Sequence, residues 1–149
     1  MKAASLFVGL LSLAGCGGPP PPPPPTLIDV AVSADAGSNG GAPLGIRIYQ
    51  LASPAAFDGA QFFPLFNGDA AVLKDDLVKR DDLILAPGQS KTQALTPADR
   101  VKAIGIFAAY RDYESLTWRT LTPVPANQKS LLTITSGASG LSATIAPAK

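Results

Sequence analysis

Apolar and polar residues alternate along most of the chain beyond an N-terminal run of prolines. Ile28, Val30 and Val32 are separated by single residues, and the same spacing recurs at Ile104 and Ile106. A period of two is typical of half-buried β-strands, in which successive side chains point to opposite faces of a sheet. On this basis eight strands are predicted, near residues 27–34, 44–51, 82–86, 91–95, 102–111, 117–123, 130–136 and 140–146.

Clusters of Gly, Pro, Ser and Asp separate the predicted strands, and the sequence shows neither an internal repeat nor a regular alternation of strands with helices. Short antiparallel strands at this spacing are typical of two sheets packed face to face. With 46% hydrophobic residues, the chain can form one apolar core. The predicted fold class is all-β, a two-sheet sandwich with a short helical insertion.

The insertion is a segment without alternation, residues 53–80, between the second and third predicted strands. Ser53 and Pro54 resemble a helix N-cap followed by proline at the first helical position, which predicts one or two short helices. Large apolar residues in this segment are expected to cover one end of the sandwich, either as local core or as the wall of a ligand pocket. They are Phe57, Phe62, Phe63, Leu65 and Phe66.

The N-terminus has the features of a secretory leader. Lys2 precedes an apolar run that is shorter than the about 20 residues a membrane-spanning helix needs. The residues Leu13, Ala14, Gly15 and Cys16 resemble the lipobox of bacterial lipoproteins, which implies cleavage before Cys16 and acylation of its thiol. A secreted protein with one free thiol is the alternative.

Two features follow the cysteine. Gly17 stands where an aspartate favours retention at the inner membrane, so the expected location is the periplasmic face of the outer membrane. The seven prolines Pro19 to Pro25 favour polyproline II at about 3.1 Å per residue, a stiff tether of roughly 20 Å. A ligand for aromatic-lined grooves is the other interpretation. The expected segments are residues 1–15 as leader, 16–26 as lipid attachment and tether, and 27–149 as the folded domain.

Composition excludes several classes of function. The absence of histidine removes Ser–His and Cys–His nucleophile pairs and the commonest zinc ligand, so no enzyme, cofactor or metal site is predicted. Twelve basic and eleven acidic residues nearly balance, which argues against nucleic acid as a partner. Asp75-Asp76 and Asp81-Asp82 offer oxygen ligands for a cation, but lysine and arginine lie among them, so a solvated charged loop is expected.

Three segments resemble the TssJ family, the outer-membrane lipoproteins of the type VI secretion system. They are PLGIRIYQL at 43–51, FDGAQFFPLF at 57–66 and AIGIFAAYRDYESLTWR at 103–119. The resemblance implies a transthyretin-like β-sandwich with added helical elements. It also implies a scaffold that is tethered by its lipid and binds the periplasmic C-terminal region of TssM, the inner-membrane-anchored partner. The matched residues are Arg47, Ile48, Tyr49, Gln50, Leu51, Phe57, Phe62, Leu65, Gly105, Ala108, Tyr110, Arg111, Asp112, Trp118 and Arg119.

In that family the loop between the first two strands takes part in the TssM contact. Here the loop is SADAGSNGGAPL, residues 33–44, and its composition predicts a flexible segment outside the core that can be shortened without harm to the fold. A simple connector is the alternative, and Trp118 and the matched arginines are expected to be structural. A lipoprotein that binds a small ligand such as a glycan, between its sheets or under the phenylalanines, is the rival function. The candidate partner-binding residues are Asp35, Ala36, Gly37, Ser38, Asn39 and Gly40.

Overall fold

Eight strands form two four-stranded sheets in a computed structural model that describes residues 15–149. Residues 1–14, the main part of the predicted leader, lie outside the described residues. Among the described residues, every strand and helix lies within 27–149. The strands are β1 (Leu27–Ala34), β2 (Leu44–Leu51), β3 (Leu77–Leu85), β4 (Ser90–Leu95), β5 (Ala103–Ala108), β6 (Arg119–Pro123), β7 (Lys129–Gly137) and β8 (Gly140–Pro147).

The first sheet has the strand order β4-β1-β7-β8 and the second the order β3-β2-β5-β6. Within the sheets, neighbouring strands are antiparallel except β1 and β7, which are parallel. The predicted all-β sandwich of two sheets is therefore confirmed. The expectation of purely antiparallel strands is wrong for that one pair.

The core between the sheets is built from the alternating positions of the sequence. Val30 and Val32 of β1 face Ile46 and Ile48 of β2, and all four are buried in one apolar cluster with Ile106 of β5. Each strand thus presents one apolar face to the other sheet, which is the arrangement that stabilises a sandwich.

The third strand begins at Leu77, whereas the alternation predicted a start at 82. The prediction is wrong because β3 lies at the edge of its sheet and carries charges that hide the apolar pattern. Arg80 and Asp82 form a bidentate ion pair on one face of the strand, and Lys79 pairs with Asp81 on the other. The pair Asp81-Asp82 is therefore part of a strand and not of the expected charged loop.

The insertion forms the helices α1 (Ala55–Asp58) and α2 (Phe62–Leu73). They cover the outer face of the second sheet, where Phe57 and Leu65 are buried against Tyr49 and Phe107. The prediction that the phenylalanines cover one end of the sandwich is wrong. Strand β5 is apolar on both faces, and the outer face of β2 carries Tyr49 and Leu51, so this face also requires a cover.

A buried carboxylate on α2 joins the insertion to this sheet. The helix is interrupted at Gly68, whose backbone is not helical (φ −158°, ψ 56°), and the next residue, Asp69, contacts the strands. Its Oδ2 accepts hydrogen bonds from the Tyr49 hydroxyl at 2.8 Å and from Arg80 at 2.7 Å. Burial raises the pKa of Tyr49 far above its ordinary value, so the phenol stays protonated and donates.

Two arginines bind the backbone of the insertion. Arg47 of β2 donates to the carbonyl oxygens of Leu65 and Phe66 at 3.2 and 3.1 Å, and Arg119 of β6 donates to those of Phe57 and Ala60. The carbonyls of Leu65 and Phe66 lie just before the break in α2 at Gly68, and those of Phe57 and Ala60 lie at the C-terminal end of α1 and just beyond it. Both arginines are therefore structural, as expected from the sequence.

No helix within residues 15–149 is long and apolar enough to span a membrane.

Replacing Asp69 with asparagine is expected to lower the free energy of unfolding by about 2 kcal/mol at neutral pH, because the amide loses charge-assisted hydrogen bonds. Burial alone would raise the pKa of Asp69, but the hydrogen bonds from Tyr49 and Arg80 outweigh it and hold the pKa below its ordinary value. The contribution of the carboxylate should be complete above the unfolded pKa of about 3.9 and disappear as pH falls through the lower folded value. Urea unfolding of wild type and Asp69→Asn at several pH values measures this difference in the free energy of unfolding.

The control is Asp99→Asn at an exposed position, which should follow the wild-type pH profile. A stability difference between Asp69→Asn and wild type that stays constant from neutral pH down to about pH 2 would contradict the role of the charge.

Candidate partner-binding site

The strand directions give the sandwich two distinct ends. The predicted tether, residues 16–26, precedes β1 at Leu27, and the candidate loop follows β1 after Ala34, so the two lie at opposite ends. The pairings of the other strands place three more connections beside the candidate loop. This loop end consists of residues 35–43, 86–89, 109–118 and 138–139, whereas the tether end also carries the loops 96–102 and 124–128.

The candidate loop forms a 3-10 turn at Ser38–Gly41. Within it Asn39 and Gly40 adopt left-handed backbone conformations, with φ of 52° and 63°. Such angles suit glycine and are tolerated by asparagine. Of the six predicted residues, Asp35, Ala36, Gly37 and Gly40 are exposed, whereas Ser38 and Asn39 are buried.

Hydrogen bonds fix the two buried residues. The amide of Asn39 donates to the carbonyl of Pro43 at 2.9 Å, and its Oδ1 accepts from the backbone N–H of Arg111 at 2.9 Å. The hydroxyl of Ser38 lies 2.6 Å from that of Ser136, which lies 2.6 Å from the hydroxyl of Tyr110. Burial raises the pKa of Tyr110, so this chain of hydroxyls stays neutral.

These contacts correct two expectations from the sequence. The loop is not a flexible connector, because it is bonded to the loop 109–118 and to β7. It also cannot be shortened without loss, since a tight turn would remove the buried Asn39 and leave the N–H of Arg111 without this acceptor. The composition of the loop gave no sign of this, because the partners lie far away in the sequence.

A cleft of about 310 Å³ opens between the candidate loop and its neighbours. Gly37 and Gly40 line one side, and Arg111, Asp112 and Leu116 line the other. Arg111 and Asp112 are exposed, so the cleft presents one charge of each sign beside backbone and apolar surface. The resemblance had matched both residues without assigning them to the site. A cleft of this composition can accept a polar segment of another protein.

The loop end is closed by a contact between the two sheets. Thr117 donates its N–H to the carbonyl of Ser139 at 3.0 Å and accepts from the N–H of Leu141 at 2.8 Å. Gly140 lies between them with φ of 103°, and a Cβ there would come within 2.5 Å of the Thr117 backbone. Only glycine therefore fits at position 140. The two backbone hydrogen bonds of Thr117 hold loop 109–118 against the turn 138–139.

The remaining candidate residues lie elsewhere. Cys16 is exposed, in a segment without helix or strand that includes the exposed prolines Pro19 to Pro25. Trp118 packs edge-on against Phe62 and Phe107, with ring centroids 5.3 and 5.7 Å away, as expected for a structural residue.

Both positions suggested for a small ligand are filled by side chains. The space between the sheets holds the buried cluster that includes Ile28, Ile48 and Leu132. Under the phenylalanines, Phe62 stacks on Tyr113 at a centroid distance of 4.2 Å and also packs on Phe107.

Known proteins are similar to this chain in sequence and in fold. Residues 26–139 match the family described as type VI secretion lipoproteins, under the names VasD, EvfM and TssJ. The chain is 34% identical to the type VI secretion lipoprotein TssJ1 from Pseudomonas aeruginosa, over 85% of this chain and 100% of that one, with a TM-score of 0.80. It is 30% identical to Serratia marcescens Lip, a membrane-bound component of the type VI secretion system, over 80% and 96% of the chains, with a TM-score of 0.76.

A chain of a type VI membrane complex is also similar, at 25% identity over 80% of this chain and 98% of that one, with a TM-score of 0.67. No curated protein matches the chain.

Replacing Asn39 with glycine is expected to lower the free energy of unfolding by about 1 to 3 kcal/mol, because glycine keeps the left-handed backbone but removes both side-chain hydrogen bonds. The matched control is Asn127→Gly, since Asn127 also has positive φ (58°) but is exposed. This control should change stability by only a few tenths of a kcal/mol. Chemical denaturation measures the free energy of unfolding of both variants. Equal losses of stability in the two variants would contradict the role of the Asn39 side chain.

Proposed function

Because the chain belongs to the type VI secretion lipoprotein family that includes VasD, EvfM and TssJ, we propose that its loop end binds the periplasmic C-terminal region of TssM. A lipid on Cys16 holds the protein at the periplasmic face of the outer membrane. The observation that carries this proposal is the separation of the two ends, since β1 runs directly from the tether to the candidate loop.

The separation places the loop end away from the anchoring bilayer. Seven prolines extend over roughly 20 Å in polyproline II, and the eight residues of β1 add about 26 Å at about 3.3 Å per residue. A partner anchored in the inner membrane approaches the outer membrane from the periplasm, so it meets the loop end first.

The loop end is also arranged in advance for binding. The buried Ser38 and Asn39 fix the backbone, so the exposed Asp35, Ala36 and Gly37 are presented in one conformation. A surface that is ordered before binding loses less entropy in the complex. Arg111 and Asp112 of the neighbouring loop extend the same surface.

The proposed organisation assigns residues 1–15 to a leader, 16–26 to lipid attachment and tether, and 27–149 to the binding domain. Gly17 is compatible with sorting to the outer membrane. The protein acts as a scaffold and not as an enzyme, since the chain contains no histidine to activate a nucleophile.

A bulky charge in the exposed part of the loop should weaken the TssM contact. Ala36→Arg is expected to reduce affinity for the periplasmic TssM fragment at least about tenfold, a loss of about 1.4 kcal/mol. The melting temperature should stay unchanged, because Ala36 is exposed. Calorimetric titration of residues 16–149 with Cys16→Ser measures the affinity. The control is Ala126→Arg, at an exposed alanine of the tether end, and it should bind like wild type. If Ala36→Arg also binds with wild-type affinity, the loop is not part of the contact.

Removal of the thiol should release the protein from the membrane. Cys16→Ser cannot be acylated, and stable attachment requires buried acyl chains at about 0.8 kcal/mol per methylene, so loss from the membrane fraction and loss of secretion are expected. Gly18→Ser, at an exposed neighbouring position with open space around it, is the control and should remain attached. Sedimentation of the Cys16→Ser protein with outer membranes, together with normal secretion, would refute the anchor.

A further inference from the structure

Exposed large apolar side chains are concentrated on one side of the molecule. Within residues 15–149 there are four: Phe63 at 51% exposure, Phe66 at 40%, Ile84 at 66% and Leu131 at 42%. The first three lie on the outer side of the second sheet, on α2 and β3, whereas Leu131 belongs to the first sheet. Exposed apolar residues that gather on one face mark interaction surfaces more often than scattered ones do.

Two of these side chains border a groove of about 250 Å³ that α2 leaves uncovered. Phe66 forms one wall and Ile84 the other, while Gly45 and Ala109 form the floor. Gly45 pairs with Ile84 across β2 and β3, and its carbonyl accepts the N–H of Ala109 at 2.9 Å. These four residues are called the apolar groove.

The absence of a side chain at Gly45 keeps the groove open. A Cβ at this position would meet only the Cβ of Ala109, at 3.8 Å, which is ordinary contact. Gly45 is not among the residues with positive φ. Neither the backbone conformation nor the packing of the fold therefore requires glycine there.

Three charged residues, Arg47, Arg80 and Asp82, also line the groove, and all three are already paired. Arg47 binds the carbonyls of Leu65 and Phe66 and lies over the Phe66 ring at 5.4 Å. Arg80 is paired with Asp82 and with the carboxylate on α2. The groove therefore has fixed walls. Its larger part is apolar and its charges already satisfy one another, which suits an apolar side chain.

The groove adjoins the loop end. Gly45 is the second residue of β2, directly after the candidate loop, and Ala109 is the first residue of the loop that carries Arg111. The groove is therefore continuous with the proposed TssM site and lies at the end opposite the tether, away from the anchoring lipid. We propose that the apolar groove receives an apolar side chain of the same partner protein, as the central contact beside a polar loop contact. This inference rests on the proposed function.

Two variants test the groove in opposite ways. Ile84→Thr removes a wall, and Gly45→Val fills the floor with a side chain that suits a strand. Both are prepared in residues 16–149 with Cys16→Ser, and binding of the periplasmic TssM fragment is measured by calorimetric titration. Each is expected to weaken binding at least about tenfold. The matched control is Leu131→Thr, an exposed leucine on the opposite sheet, which should bind like wild type.

The outcomes separate the groove from the proposed function. If wild type binds and both folded groove variants bind equally well, the groove is refuted while the TssM proposal stands. If wild type does not bind, the proposed function and this inference both fail. Sedimentation analysis of the chain alone gives a third result: a dimer that Ile84→Thr converts to monomer would show that a second copy occupies the groove, which also overturns the inference.

Discussion

The attachment of the helical insertion depends on one buried carboxylate, that of Asp69. Strand β5 is apolar on both faces, and the outer face of β2 carries Tyr49 and Leu51, so this side of the second sheet has to be covered. The helices that cover it are not part of the hydrogen-bond ladder of the sheet. Asp69 provides the connection, because it accepts from Tyr49 and Arg80 on two neighbouring strands. Arg47, 3.6 Å from the same oxygen, then fixes the carbonyls that end the first part of α2. The position of Phe66, and with it one wall of the apolar groove, follows from this arrangement.

Much of the fold was predictable where side-chain burial alone decides the structure. The alternation at Ile28, Val30 and Val32 located β1 with correct bounds, and the motifs around Tyr49 and Trp118 led to the correct family. The start of β3 was missed because its charges pair with each other and with the insertion, so they behave as structural residues in spite of their polarity. The placement of the helices was missed for a related reason, since the apolar outer face of β2 was not recognised as a surface that needs a cover.

The candidate site shows where local sequence information ends. A segment rich in Gly, Ser and Asn indicates a loop, and the structure has a loop there. Its rigidity comes from Ser136 and from the backbone N–H of Arg111, which lie 98 and 72 residues away from their partners Ser38 and Asn39 in the sequence. No property of the loop itself encodes such partners. The apolar groove was likewise invisible, because Gly45, Phe66, Ile84 and Ala109 come from four separate segments.

The parallel pairing of β1 with β7 has a consequence for how the protein folds. β1 forms the centre of its sheet, but its neighbours β4 and β7 begin only at Ser90 and Lys129. Closing loops of this length before contacts form is slow, and folds dominated by such distant pairings take milliseconds to seconds. Strand β1 therefore gains its first neighbour only when residues 90–95 are available and its second only when residues 129–137 are, so this sheet can be completed only when nearly the whole chain is present.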